Sequence, residues 1–224
     1  KKSCYFEETF ADGLAEFRAT CRKFAAGLQQ QTWRKLWRYC IGILVWFSLA
    51  PYLAFAQPEH FALLVTGASG NDESHDKFSK WSTQLLEILQ NDLLFPRAHI
   101  YFLTENPDPN SLVPEFNATK TQLAKTFDEL GTRLKKDDLL FIVLLGHASF
   151  DGMNYKFNLV GPDLTGVELR FWLERFGHQT LAIVAATPCS GILSRQLSLN
   201  NRMLITATKS EFENNNIIFP EFLI

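Results

Sequence analysis

Two side chains are of the right types for nucleophilic chemistry, an imidazole and a thiol, and each comes shortly after a run of apolar residues. His147 follows Leu139–Leu145 and Gly146, and Cys189 follows Leu181–Ala186 and the Thr187-Pro188 pair. An imidazole with an ordinary pKa of about 6.5 can take the proton of a thiol, and the thiolate is the form that attacks a carbonyl carbon. If the two runs are neighbouring strands, their tips lie about 5 Å apart, and the groups can meet as a Cys-His dyad. His147 would then act as general base and later general acid, with Cys189 as nucleophile. Backbone amides around Ala148 and Cys189 would serve as the oxyanion site, with Ser190 and Gly191 beside it. Ser190 is an alternative nucleophile against His147. The competing reading of Cys189 is a small hydrophobe buried at a strand end, as free cysteines commonly are. Arg202, just ahead of the last apolar run, is a candidate donor for an acidic or amide substrate side chain, or else a solvated charge at a strand end.

The remaining candidates are weaker. His60 and His99 open strand-like runs at the end opposite the expected site, and His75 and His178 fall at helix edges, so all four read as ordinary surface residues. The patterns GxGxxG, GxxxxGK[ST], HExxH and GxSxG do not occur, which removes the usual motif arguments for nucleotide binding, zinc proteolysis and hydrolase-elbow chemistry. Cys4, Cys21, Cys40 and Cys189 have no CxxC spacing, so neither a structural metal nor a disulfide framework is expected. A net charge of −2 disfavours nucleic acid as a partner.

The elements that must position these groups alternate along the chain. Phe61–Val65, His99–Leu103, Leu139–Leu145, Leu181–Ala186 and Met203–Ala207 read as five strands, the third apolar throughout as a strand buried on both faces must be. Between them, Phe78, Trp81, Leu85 and Ile88 share one helical face. So do Leu123, Phe127, Leu130 and Leu134, and then Leu169, Trp172, Leu173 and Phe176. Thr119-x-x-Gln122 and Thr165-x-x-Glu168 are helix-capping patterns. Pro107, Pro109 and Pro114 mark an irregular connection, and residues 151–163 read as a polar, turn-rich piece. Alternating strands and helices predict an α/β, doubly wound, mostly parallel sheet flanked by helices, with ligands at the carboxyl ends of its strands. At 224 residues and 46% apolar, the chain has material for one globular domain and an appendage.

That appendage has its own pattern. Residues 1–38 carry eight basic side chains against four acidic ones, and the uncharged stretch 39–56 follows at once, ending Ala54-Phe55-Ala56 before Gln57. Basic flank, apolar run and small-residue ending are the order of an export signal, with cleavage predicted after Ala56. Eighteen residues also suffice for an uncleaved membrane anchor, the only membrane contact expected, or for a buried core helix. Under cleavage or anchoring, residues 57–224 lie outside the cytoplasm, periplasmic or secreted. Cleavage would leave Cys189 as the lone thiol of the mature domain. Lys1 stands where a start methionine would, and the chain stops at Phe222-Leu223-Ile224, so a fragment at both ends, lacking part of its C-terminal portion, is expected.

The apolar strand ending in Gly146-His147, the later one ending near Cys189-Ser190-Gly191, and Arg202–Thr208 together resemble the caspase-like clan of cysteine peptidases. Within that clan they are most similar to exported bacterial members of the legumain-like family. Phe157-Asn158-Leu159, Gly161–Leu164, Glu213, Asn215 and Phe219 add to the likeness, which covers roughly residues 60–224. The resemblance implies a caspase-like α/β fold and a catalytic His-Gly pair with a cysteine nucleophile. It also implies hydrolysis of peptide or protein substrates after Asn or Asp, and no metal or organic cofactor. Two positions depart from it. Ala148 replaces the usual glycine after the histidine. The legumain-type Cys-x-Ser-Gly pattern, anchored on Ser190-Gly191, puts Pro188 at the nucleophile position, whereas the caspase-type Cys-x-Gly pattern puts Cys189 there. The second reading this leaves open is a catalytically silent module that binds extended peptides.

Overall fold

Short runs of β-branched and other apolar residues build the sheet, and the stretches with helical spacing cover it. The computed structural model describes residues 58–214 and 218–223, all within the unit that runs from Gln57 to Ile224. The expected basic segment 1–38, the apolar stretch 39–56, the cleavage point after Ala56, and Cys4, Cys21, Cys40 and Asn215 lie outside the described residues. Among those described, no helix is long and apolar enough to cross a membrane.

Six strands form one parallel sheet. They are β1 (His60–Thr66), β2 (Ile100–Thr104), β3 (Glu115–Asn117), β4 (Leu139–Leu145), β8 (Thr180–Ala186) and β9 (Arg202–Thr206), in the order β3-β2-β1-β4-β8-β9. Every pairing in it is parallel. The fold is therefore α/β and doubly wound, with helices on both faces. On one face α1 (Asp72–Glu87) covers Ala62, Leu64, Phe102, Val143 and Val184. On the other, α2 (Lys120–Arg133), α3 (Gly166–Leu173) and α4 (Leu193–Leu197) cover Leu63, Leu103, Ile142, Leu144 and Ile183. A short helix, α5 (Pro220–Leu223), ends the described chain.

Local signals start the helices where the sequence places them. The Asn71 side chain accepts from the Ser74 amide at the head of α1, and Thr119 does the same for Gln122 in α2. Thr165 and Glu168 form a reciprocal capping box on α3. Two parts differ from expectation. The proline-marked connection contains the edge strand β3. The turn-rich piece carries the middle strand of a separate three-stranded antiparallel sheet, β5 (Ala148–Phe150), β6 (Tyr155–Phe157) and β7 (Leu164–Thr165), ordered β5-β6-β7. This small sheet is pinned to the tip of β8 by a 2.7 Å hydrogen bond between the Tyr155 and Thr187 hydroxyls, both fully buried. Burial pushes the Tyr155 phenol far above its ordinary range, so it stays neutral and fit for that bond.

Candidate active site

Strands β4 and β8 are neighbours, and their registers pair Leu145 with Ala186 at the carboxyl ends. Side chains alternate faces along a strand, and the alternation carries past both tips. On β8, Ala185 belongs to the core under α2–α4 and Ala186 to the core under α1; Thr187 then bonds Tyr155 on the former side, and Pro188 turns to the latter. Cys189 falls back into the core under α2–α4. On β4 the same alternation puts His147 on the α1 side, edge-on to Phe78 with ring centroids 5.1 Å apart, and Ala148 on the opposite side. The pairing of β4 with β8 ends at Leu145 and Ala186; beyond it His147 and Pro188 lie on the α1 side, and Ala148 and Cys189 lie in the opposite core.

No hydrogen bond joins the imidazole of His147 to the thiol of Cys189 among the described residues. His147 and Pro188 both line a cleft of 220 Å³ with Ser74, Phe78 and the Glu73–Lys77 ion pair. Cys189 is 2% exposed, and its thiol donates to the Asn214 side-chain oxygen, 3.9 Å from Sγ. Burial pushes the thiol pKa up, against a smaller opposing effect of the Phe150 backbone, whereas a reactive cysteine needs it lowered. Cys189 also adopts a left-handed backbone (φ 54°), held by donation of its amide to the Glu213 carbonyl at 2.9 Å.

The neighbours of the thiol hold the chain rather than a substrate. Ser190 is fully buried; its hydroxyl accepts from the Thr208 amide at 3.2 Å and lies 3.3 Å from the Thr208 hydroxyl, which removes it as a nucleophile against His147. Gly191 donates to the Thr208 hydroxyl, and a Cβ there would sit 2.4 Å from the Lys209 carbonyl carbon. Ser190-Gly191 is thus required by the close approach of residues 208–210. Ala148 is 6% exposed and opens β5, in the core beneath the small sheet. Arg202 pairs with Leu181, at the amino-terminal end of the sheet, about 16 Å along the strand from the tips. Its guanidinium donates to the Leu173 carbonyl at 2.8 Å and to the Leu197 carbonyl at 3.3 Å. It clamps the ends of α3 and α4 and is no substrate donor.

His147 is oriented from behind. Nε2 lies 3.1 Å from the Ser69 carbonyl oxygen, which can only accept, so Nε2 carries the proton and the neutral ring keeps its lone pair on Nδ1. Nδ1 has no hydrogen-bond partner among the described residues. The Ser74 hydroxyl, 3.3 Å from Nε2, faces the protonated nitrogen and therefore has no base there. Gly146 makes the approach possible at φ 143°, with its Cα side pressed on the Gly67 backbone. Ser74 is a cleft residue that the sequence does not single out, whereas Pro188 is the residue that the legumain-type pattern places at the nucleophile position. The two-residue period of the apolar runs, continued past Leu145 and Ala186, is the signal that finds Pro188.

No family model matches the chain, and no curated protein matches it. Among solved structures it is similar to the crystal structure of protein GSU0716 from Geobacter sulfurreducens, at 15% identity and a TM-score of 0.41, over 65% of this chain and 58% of that one. The chain thus spans less than two thirds of that protein's length, and a likeness of this extent carries no argument about function.

Proposed function

We propose that the chain is a catalytically silent, peptidase-like module that holds an extended peptide in the cleft beside His147. One observation carries this reading: the residue that shares the cleft wall with His147 is Pro188, which has no attacking atom, while the thiol next to it in the chain is turned into the core. The cleft retains what a peptide needs. The Nδ1 lone pair can accept a peptide N–H, the Glu73–Lys77 pair offers charges of both signs, and Phe78 with Trp81 supplies an apolar wall. The silence is thus a matter of one residue's facing, not of a missing cleft.

The test restores what the register removes. Fluorescein-labelled peptides of varied sequence are expected to bind by anisotropy without being cleaved, and His147→Ala weakens the binding. In a Cys189→Ala background, Pro188→Cys places a thiol in the cleft, and its alkylation by iodoacetamide near neutral pH becomes fast and dependent on His147. Peptide hydrolysis by the unaltered chain, abolished by Cys189→Ala, would sink the silent reading in favour of an active cysteine endopeptidase cleaving after Asn or Asp. Peptide binding indifferent to His147→Ala would sink the assignment of the cleft.

A further inference from the structure

We propose that Glu105 is a positioning residue for His147, which through Ser69 fixes the ring nitrogen that faces the cleft. Three neighbouring strand tips carry the three residues. In the order β2-β1-β4, Glu105 directly follows Thr104, Ser69 follows Thr66 by way of Gly67 and Ala68, and His147 follows Leu145 and Gly146. Carboxylate, serine and imidazole thus form one row across the carboxyl end of the sheet.

Successive amides pin the loop that leads from β1 to α1. Gly67 donates to the Leu145 carbonyl at 2.9 Å, Ala68 to the Asn158 carbonyl at 3.0 Å, and Ser69 to Glu105 Oε2 at 3.1 Å. The Ser69 hydroxyl donates to that same oxygen at 2.6 Å. This hydroxyl is the chief cause of a Glu105 pKa below its ordinary value, so the acceptor is a charged one and its bonds are the stronger for it. His75 Nδ1 stands 3.9 Å from Oε2, outside hydrogen-bond distance, and leaves that oxygen to Ser69. Ser69, 7% exposed, is therefore tied to the tip of β2 by its amide and hydroxyl, while its carbonyl accepts from His147 Nε2 at 3.1 Å beyond the tip of β4.

The orientation of the ring depends on that carbonyl. The Ser74 hydroxyl, at 3.3 Å from Nε2, is the longer contact, and Phe78 offers a ring edge but no acceptor. With the Ser69 carbonyl displaced, the Nε2 proton loses its closest acceptor, and neither the tautomer nor the outward lone pair on Nδ1 is held. Glu105 does not line the cleft of His147, so it acts on the ring only through Ser69. What the held lone pair is for, acceptance of a peptide N–H, rests on the peptide-binding reading of that cleft.

Nitrogen-15 NMR of the full chain tests the positioning, with the His147 ring assigned by its loss in His147→Ala. The unaltered chain is expected to show a low-field Nε2 proton in slow exchange with water and an unprotonated Nδ1. Glu105→Gln and Ser69→Ala should each speed that exchange about tenfold. The double variant should fall well short of the product of the two effects, because both break one chain of bonds. Glu105→Gln should also weaken peptide binding about fivefold in anisotropy. Glu115→Gln, which removes a nearby carboxylate bonded to the Asp108 amide instead, leaves both readouts unchanged. Unmoved backbone amide signals in β1, β4 and β8 show that each variant is folded. An Nε2 proton that exchanges as slowly in Glu105→Gln as in the unaltered chain overturns the proposal. So do effects that multiply in the double variant, an equal effect of Glu115→Gln, or a ring whose proton sits on Nδ1 in the unaltered chain. A chain that binds no peptide, yet loses its slow Nε2 proton with Glu105→Gln, sinks the peptide reading alone and upholds the positioning.

Discussion

At Cys189 the sulfur is defined by what surrounds it. Burial raises its pKa and the core of α2–α4 encloses it. In the folded chain, iodoacetamide is expected to modify Cys189 slowly near neutral pH, at a rate unchanged by His147→Ala; mass mapping of the Cys189 peptide checks this. A thiol whose folded pKa lies above its unfolded value of about 8.5 is protonated in the fold while the unfolded chain has released its proton. Its contribution to stability is complete below the unfolded pKa and is lost as pH rises through the folded one. Urea unfolding should therefore show stability falling above about pH 8.5, and Cys189→Ala should remove that part of the slope. Tyr101, pushed up to about 12 mainly by burial, adds a further loss between about pH 10 and 12 that Tyr101→Phe abolishes. Gly191→Ala, forced against the Lys209 backbone, is expected to cost about 3 kcal/mol in the same assay.

Elements show why the fold was more legible than the site. Leu139–Leu145 is a strand of seven apolar residues with the same bounds in sequence and structure, because a strand covered on both faces has no polar position to blur its ends. Thr165 and Glu168 marked the start of α3 through hydrogen bonds that any helix would need at that point. Strands β3, β5, β6 and β7 span three residues or fewer, too short to display a period, and the small sheet is tied to distant tips by Tyr155 and Asn158. The sequence left the adjacency of β4 and β8 as a condition, which the structure meets, yet proximity of tips does not decide facing, and Cys189 lies in the core opposite the cleft that His147 lines. Arg202 was misplaced for a related reason: a residue opening a parallel strand stands at the end away from the tips. Thr165→Ala, which leaves α3 without its capping box, is expected to destabilise the domain by about 1 kcal/mol, read from the urea midpoint at constant slope.

Across the whole molecule, cover is unequal from strand to strand. Strands β2, β1, β4 and β8 have neighbours on both sides, and β3 and β9 lie at the edges. Amide hydrogen exchange should be slowest in Leu140–Leu144 and fastest, among strands of the large sheet, in β3 and β9. On β9, Met203 is 59% exposed on the side away from Leu204, so Met203→Lys is expected to shift stability by no more than about 0.5 kcal/mol.

The segment from Thr208 to Asn214 lies over Cys189–Gly191: the Glu213 carbonyl accepts from the Cys189 amide, the Asn214 amide oxygen lies by its sulfur, and the Thr208 hydroxyl accepts from the Gly191 amide. A reagent reaches the sulfur only after that cover lifts, so alkylation kinetics count how often it lifts. The thiol is then a stopwatch for the breathing of the sheet's carboxyl rim, and a ligand seated against His147 that quiets the rim would register as a slower tick at an atom it never touches.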